Sequence, residues 1–489
     1  MDRRDCETEL RRRRREILVR LVRAFDGPDF PGAVSELPAA FAAELAGGGP
    51  ADGQLLRELR ERTVAALGFS AEEETGDLRA LAERALVREK KEEYPLTALA
   101  GTCDRCPPES YRITDVCRNC TAHYCLASCR LGAITLSSGR PTIDPQKCKK
   151  CDQCLRACPY WAIVHSTVPC EAQCPVAAVG KGEGGHARID FDRCISCGRC
   201  TVACPFGAIV GKSQLVDVLR AMASGREVIA LYAPSWVGQS QEPAHRLAAA
   251  LKKTGFAGSC EVARGAEETI RAEAEDFQEH LASGKQFLTT SCCAAYNEFR
   301  AKHLQEINPY VSKAGTPLLY TARLARREHP DAVLVFLSPC FAKYREVLQN
   351  PDVSHVLNFE EVDALFRARS VDVAACEGDP IQPTTAREAR EFALSAGVAR
   401  SVQAALGAEG EKIRPVIVNG LTKEAIKKLR RYATEGTCEE GNLIEVMACD
   451  GGCIGGSATL FSLPKAQRQV TAHSVQGGSI AKGLAATEG

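Results

Sequence analysis

Sixteen of the chain's 25 cysteines lie between Cys103 and Cys204, and their spacing repeats. Four segments are versions of one phrase: Cys129-Arg-Leu-Gly-Ala-Ile, Cys158-Pro-Tyr-Trp-Ala-Ile, Cys174-Pro-Val-Ala-Ala-Val and Cys204-Pro-Phe-Gly-Ala-Ile. Two of them close a C-x2-C-x2-C-x3-C-P run, made of Cys148, Cys151, Cys154 and Cys158 and of Cys194, Cys197, Cys200 and Cys204. Three closely spaced thiolates wrap three corners of an iron–sulfur cube, and the fourth cysteine is carried to a neighbouring cube. Crossing the ligands in this way joins Cys148, Cys151 and Cys154 to Cys129, and Cys117, Cys120 and Cys125 to Cys158. Cys194, Cys197 and Cys200 join Cys174, which leaves Cys103, Cys106, Cys170 and Cys204 for a fourth cluster.

These runs are the bacterial ferredoxin signature, so the region reads as ferredoxin-like 4Fe–4S domains. A zinc ribbon formed by Cys103, Cys106, Cys117 and Cys120 is the rival, but it would orphan Cys125, Cys158, Cys170 and Cys204. His123 could replace a cysteine as ligand, although a surface or supporting histidine is the simpler expectation. A secreted disulfide scaffold fits poorly, because the spacings are short, the count is odd and Met1 to Phe25 is too charged for a secretory signal. The expectation is therefore a cytoplasmic, metal-holding protein with no membrane span. Cluster chains of this type move single electrons, so the region alone is a wire.

Three further cysteine motifs each follow a strand-like run. Leu288-Thr-Thr leads into Ser291-Cys292-Cys293-Ala294-Ala295-Tyr296, and Val335-Phe-Leu leads into Ser338-Pro339-Cys340-Phe341-Ala342-Lys343. Ile444-Glu-Val leads into Met447-Ala448-Cys449-Asp450-Gly451-Gly452-Cys453. Loops at the carboxyl ends of strands are where α/β folds place their sites. Each cysteine taken alone reads as a buried structural thiol; three such motifs attached to an electron wire do not.

The elements that must hold these residues fall into blocks. The chain has 489 residues, 45 % of them apolar, which predicts two to four domains with substantial cores. Lys plus Arg and Asp plus Glu both number 62, so no global field favours nucleic acid. Residues 1–98 read as helical, with Ile17, Leu18, Leu21, Val22 and Phe25 on one face and a basic run from Arg11 to Arg15 read as solvated. Gly47-Gly48-Gly49-Pro50 reads as a linker or loop before a second helical pair. Residues 99–168 and 169–212 form two ferredoxin-like units. Strand-like runs at 228–232, 286–290, 332–337, 414–418 and 443–448 then make 225–465 a two-lobed α/β catalytic domain, with 466–489 as a tail. The fold class is thus mixed, α+β and α/β, and multidomain.

The phrases TSCCAAY, SPCFAKYRE and EVMACDGGCIGG resemble the three signatures of FeFe-hydrogenases, TSCCPxW, MPCxxKxxE and ExMxCxxGCxxGG. The resemblance covers about residues 228–460, with the ferredoxin-like region upstream in the expected order. It implies an H-cluster: a 4Fe–4S cube joined through one cysteine sulfur to a two-iron unit carrying CO, cyanide and a bridging dithiolate. Carried over by motif, Cys293, Cys340, Cys449 and Cys453 would hold the cube, with Cys453 as the bridge. Cys292 would pass protons to the bridgehead amine. Lys343 and the backbone at Pro234 and Ser235 would donate to cyanide, and Met447 would pack against the two-iron unit.

The resemblance also implies a proton relay. Thr269-Ile270-Arg-Ala-Glu273-Ala-Glu-Asp276-Phe277 matches the family helix bearing two acids on one face. Glu273 and Asp276 are the candidates, with Ser312 between them; a charged, solvent-facing helix is the bland alternative. Ser338, Ala294, Tyr296 and Ser457 depart from the usual signatures and are similar to the family's group B branch. The implied activity is reversible conversion of two protons and two electrons to hydrogen gas. The implied partners are ferredoxin or a similar small electron carrier and the hydrogenase maturation proteins. A hydrogen-sensing relative and a Narf-like cluster-assembly protein are the alternatives; retention of Cys292 and Lys343 argues against the latter.

Overall fold

The computed structural model describes residues 7–480 apart from 48, 50–51, 73–75, 90 and 379–384. Gly48 and Pro50 of the expected linker and the last nine residues lie outside the described residues.

Four helices, Glu9–Phe25, Phe30–Leu45, Gly53–Ala66 and Leu78–Val87, open the chain. The Thr8, Asp29 and Asp52 side chains accept from free N–H groups of the first three, satisfying donors that a helix start leaves unpaired. Their apolar faces meet in one core around Leu21, Phe30, Val34, Phe41, Leu59 and Leu67. The basic run is not the solvated face expected of it. Arg13 pairs with Glu58 at 3.1 Å, Arg14 with Glu360 at 2.5 Å, and Arg11 donates to the Leu460 carbonyl at 2.8 Å. Charge on this helix is therefore spent on fixing it to the rest of the molecule, which a reading of one helix by itself could not foresee.

The cysteine-rich region is held by short antiparallel ribbons. Ser110–Ile113 pairs with Ile163–Ser166, Ile134–Ser137 with Arg140–Ile143, and Val179–Lys181 with Ala187–Ile189. Leu96–Ala98 pairs with Ile209–Gly211, so the second unit takes a strand from ahead of the first.

From Val228 the chain builds two parallel sheets. In one, Gly258–Glu261, Val228–Tyr232, Val333–Ser338 and His355–Asn358 lie side by side in that order. In the other, Leu288–Thr289, Leu443–Met447 and Pro415–Asn419 do the same. Val228–Tyr232, Val333–Ser338 and Leu443–Met447 are buried at every residue, as parallel strands covered on both faces must be. The tail expected from residue 466 begins inside a helix, Leu463–Ser474, whose His473 meets buried Glu261 at 2.8 Å. Among the described residues no helix is long and apolar enough to cross a membrane.

Candidate active site and electron path

The carboxyl ends of both sheets open onto one hollow. Val228–Tyr232 delivers Pro234 and Ser235, Val333–Ser338 delivers Cys340, Leu288–Thr289 delivers Cys292 and Cys293, and Leu443–Met447 delivers Cys449 and Cys453. The loop carrying the last two depends on glycine. Gly452 has φ of 80°, and a Cβ there would sit 2.8 Å from the Ala393 carbonyl oxygen. A side chain there would push Cys453 out of line.

The donor set suits a cysteine-held iron cluster. Burial pushes the Cys340 thiol up to about 11 and Cys453 up to about 12, and neighbouring thiols add to both shifts. Free thiols are thus disfavoured as anions here, and iron would reverse that by binding the thiolate. Two polar groups have the character such a cluster's ligands require. The Ser235 hydroxyl is buried without a hydrogen-bond partner and lines the hollow. Lys343 is buried; burial alone would lower its pKa, but Glu346, bonded at 2.5 Å, and the thiols raise it, so the ammonium persists. Met447, 3 % exposed, lines the same wall.

A line of acids leads away from the hollow. Glu273 and Asp276 share one face of the helix Ala263–Ala282. Glu273 is wholly buried, and burial pushes it up to about 8. One carboxylate oxygen accepts from the Ser291 N–H at 3.1 Å, while the other has no partner. Cys292 is raised well above the ordinary thiol value by burial, then by the Glu273 charge beside it. Asp276 is half-buried and accepts from the Ser312 hydroxyl at 2.9 Å. Ser312 therefore bonds Asp276, not both acids. The Glu273 end is met by Ser291, whose hydroxyl donates to the Ala314 carbonyl at 2.8 Å. Sequence reasoning missed Ser291; its place directly before Cys292 was the available signal.

Twelve of the sixteen upstream cysteines gather in three quartets, and Cys106 and Cys170 each neighbour Cys204. Cys117, Cys120, Cys125 and Cys158 surround a hollow of about 390 Å³, and Cys129, Cys148, Cys151 and Cys154 another of about 350 Å³. Cys174, Cys194 and Cys197 form the electrostatic neighbourhood of Cys200. Burial and then the Cys204 charge push Cys170 up to about 11, and Cys204 also bears on Cys106. Cys103 accepts from the Ala187 N–H in the same unit. Cys117 and Cys120 share a hollow with Cys125 and Cys158, the grouping expected of a cluster, while Cys106 has Cys204 as its neighbour. Both ring nitrogens of His123 are taken, by the Thr121 carbonyl and the Asn119 side chain. The turn after the cysteine of the phrase closes back on that cysteine's own sulfur. Ala178 and Ala208 each donate their N–H to the sulfur four residues back, Cys174 and Cys204. Cys197 belongs to a quartet and also lines the large hollow, so the cysteine path ends at its wall.

Comparison with known proteins agrees in kind. Residues 226–457 match the family described as iron only hydrogenase large subunit, C-terminal domain. Residues 187–210 and 140–163 each match a 4Fe-4S binding domain. An NADP-reducing hydrogenase subunit of Solidesulfovibrio fructosivorans is 27 % identical over 264 residues, 43 % of this chain and 44 % of that protein. A periplasmic Fe hydrogenase large subunit of Nitratidesulfovibrio vulgaris is 24 % identical over 259 residues, 43 % of this chain and 61 % of that one. The chain thus spans about half the length of the curated relatives it matches. A FeFe-hydrogenase structure from Chlamydomonas reinhardtii overlaps 55 % of this chain and 93 % of its own, at 17 % identity and a TM-score of 0.43.

Proposed function

From the premise that this chain is an FeFe-hydrogenase-like protein with 4Fe–4S domains, we propose that it catalyses the reversible reaction of two protons and two electrons to hydrogen gas. One observation carries the reading: Cys293, Cys340, Cys449 and Cys453 share a hollow with Cys292 on one side and Cys197 on another. A proton path and an electron path thus reach a single cysteine-lined space.

The H-cluster, when bound, supplies the iron at which electrons and protons combine. In this reading Cys293, Cys340, Cys449 and Cys453 would hold it. Ser235 and Lys343 would orient its anionic ligands, while Pro234, which has no N–H to donate, would only shape the wall beside them. In a dry pocket such donors are worth more than in water. Met447 keeps water off that face. Cys292 holds its proton at neutral pH, because burial disfavours the thiolate. The unpartnered oxygen of Glu273 is free to take or return that proton. Ser291, Ser312 and Asp276 then lead it toward the surface.

Electrons would pass through four accessory 4Fe–4S clusters held by the sixteen cysteines. Ferredoxin or a similar small carrier would deliver them, and maturation proteins would assemble the H-cluster. The test is hydrogen evolution from a reduced dye by matured protein, compared with the same protein lacking the two-iron unit. Gas evolution from the matured protein only is expected; none from either would overturn the enzyme reading.

A further inference from the structure

The helix Gly53–Ala66 carries nothing that sequence motifs mark, yet consecutive residues on it grip both flanks of one cysteine quartet. Glu61 accepts from the Gly101 N–H at 2.7 Å and from the Thr102 hydroxyl at 3.1 Å, immediately ahead of Cys103. Arg62 donates to the Phe206 and Gly207 carbonyls, both at 3.0 Å, immediately after Cys204. Arg62 is only 4 % exposed, and Glu58 pairs with its Nε at 3.0 Å. Gly207, with φ of 61°, lies under Leu10 and the Arg62 guanidinium, so the turn after Cys204 is closed by the N-terminal helices. The same helix accepts the Ser213 N–H at the Ala65 carbonyl, beyond the strand Ile209–Gly211.

Resting on the cluster assignment above, we propose that this helix is a clamp on the Cys103, Cys106, Cys170 and Cys204 quartet, with Glu61 and Arg62 as positioning residues that set its reduction potential. Buried charge and hydrogen bonding around the sulfurs are the levers a protein has on such potentials. The two residues pull in opposite directions. A cation behind the Cys204 loop favours the reduced, more negative cluster, and a carboxylate behind the Cys103 loop disfavours it. The quartet also has a critical position. Cys170 borders the Cys200 neighbourhood, so this cluster adjoins the quartet at the wall of the large hollow. The N-terminal helices would thereby regulate the rate at which electrons reach the site without touching it.

The test is a redox titration of the full chain, followed by electron paramagnetic resonance, with its 4Fe–4S clusters present and the two-iron unit absent. The signal lost in Cys170→Ala identifies the quartet; unchanged iron content in that variant would overturn the cluster assignment itself. Arg62→Gln is expected to move that signal to more negative potential and Glu61→Gln to more positive potential. Each shift should be about tenfold in the reduced-to-oxidised ratio, or about 59 mV for one electron. Arg62→Lys should restore most of the Arg62 shift. Thr102→Val leaves the Glu61 charge in place with one donor fewer on it, and should move the signal to more negative potential, opposite to Glu61→Gln, if the Arg62 or Glu61 variants fail to fold. Shifts of the same sign for Arg62→Gln and Glu61→Gln, or none in any variant that retains its iron, would overturn the clamp.

Discussion

Replacing Glu273 by glutamine keeps its volume and its bond from the Ser291 N–H while removing the titrating proton. Burial holds this carboxyl at about 8, against an ordinary value of 4.5. At pH 7 roughly ten molecules in eleven therefore carry the proton, since one unit is a factor of ten. The sign for stability follows. The folded state keeps a proton that the unfolded chain releases above about pH 4.5, so the contribution is complete below that pH and is lost as pH rises through about 8. Across this window stability should fall by about 1.4 kcal/mol per pH unit, on the order of 5 kcal/mol in all. Glu273→Gln should abolish that slope. It should also slow hydrogen evolution by about 10²–10⁴-fold, the usual range for a positioned proton donor. Infrared difference spectra should show a protonated carboxyl band at pH 7 that disappears near pH 8 and is absent from Glu273→Gln. An ionised Glu273 at pH 7, or a variant within a few-fold of the parent rate, would refute the reasoning.

Cys292→Ala should lose gas evolution while keeping the infrared bands of the assembled cluster; full activity would remove Cys292 from the proton path. Ser235→Ala removes the one unpartnered hydroxyl found in the hollow and should shift a cyanide band in the matured protein. An unmoved spectrum would mean that Ser235 donates elsewhere. Arg390→Met leaves Glu261 buried with only His473 opposite it, and should cost about 3–5 kcal/mol. Thermal unfolding reads this loss, and a change below about 1 kcal/mol would contradict Arg390 as the partner that compensates the buried Glu261 carboxylate.

Much of the site could be read from spacing because iron–sulfur ligation is local. The C-x2-C-x2-C runs and the glycines around Cys453 leave their mark within ten residues. The strand-end motifs were legible for a similar reason, since Val228–Tyr232, Val333–Ser338 and Leu443–Met447 are apolar throughout. Two strands of the first sheet were not foreseen. Gly258–Glu261 and His355–Asn358 are four residues each and mix polar with apolar types, so only pairing with Val228–Tyr232 and Val333–Ser338 makes them strands. Ser291 was missed because its role depends on where Glu273 arrives from another element. The basic run misled for the same reason: Glu58 and Glu360, which it meets, lie 45 and 346 residues away. Contacts across elements leave no local pattern, and the grip of Glu61 and Arg62 on the cysteine loops is another of them.

The central claim is that Cys293, Cys340, Cys449 and Cys453 hold a hydrogenase H-cluster. Infrared spectroscopy of the chain after maturation with the family's accessory enzymes tests it most directly. The account predicts sharp CO and cyanide bands, absent before maturation and lost in Cys453→Ala. A matured protein with intact 4Fe–4S clusters and no such bands would contradict it.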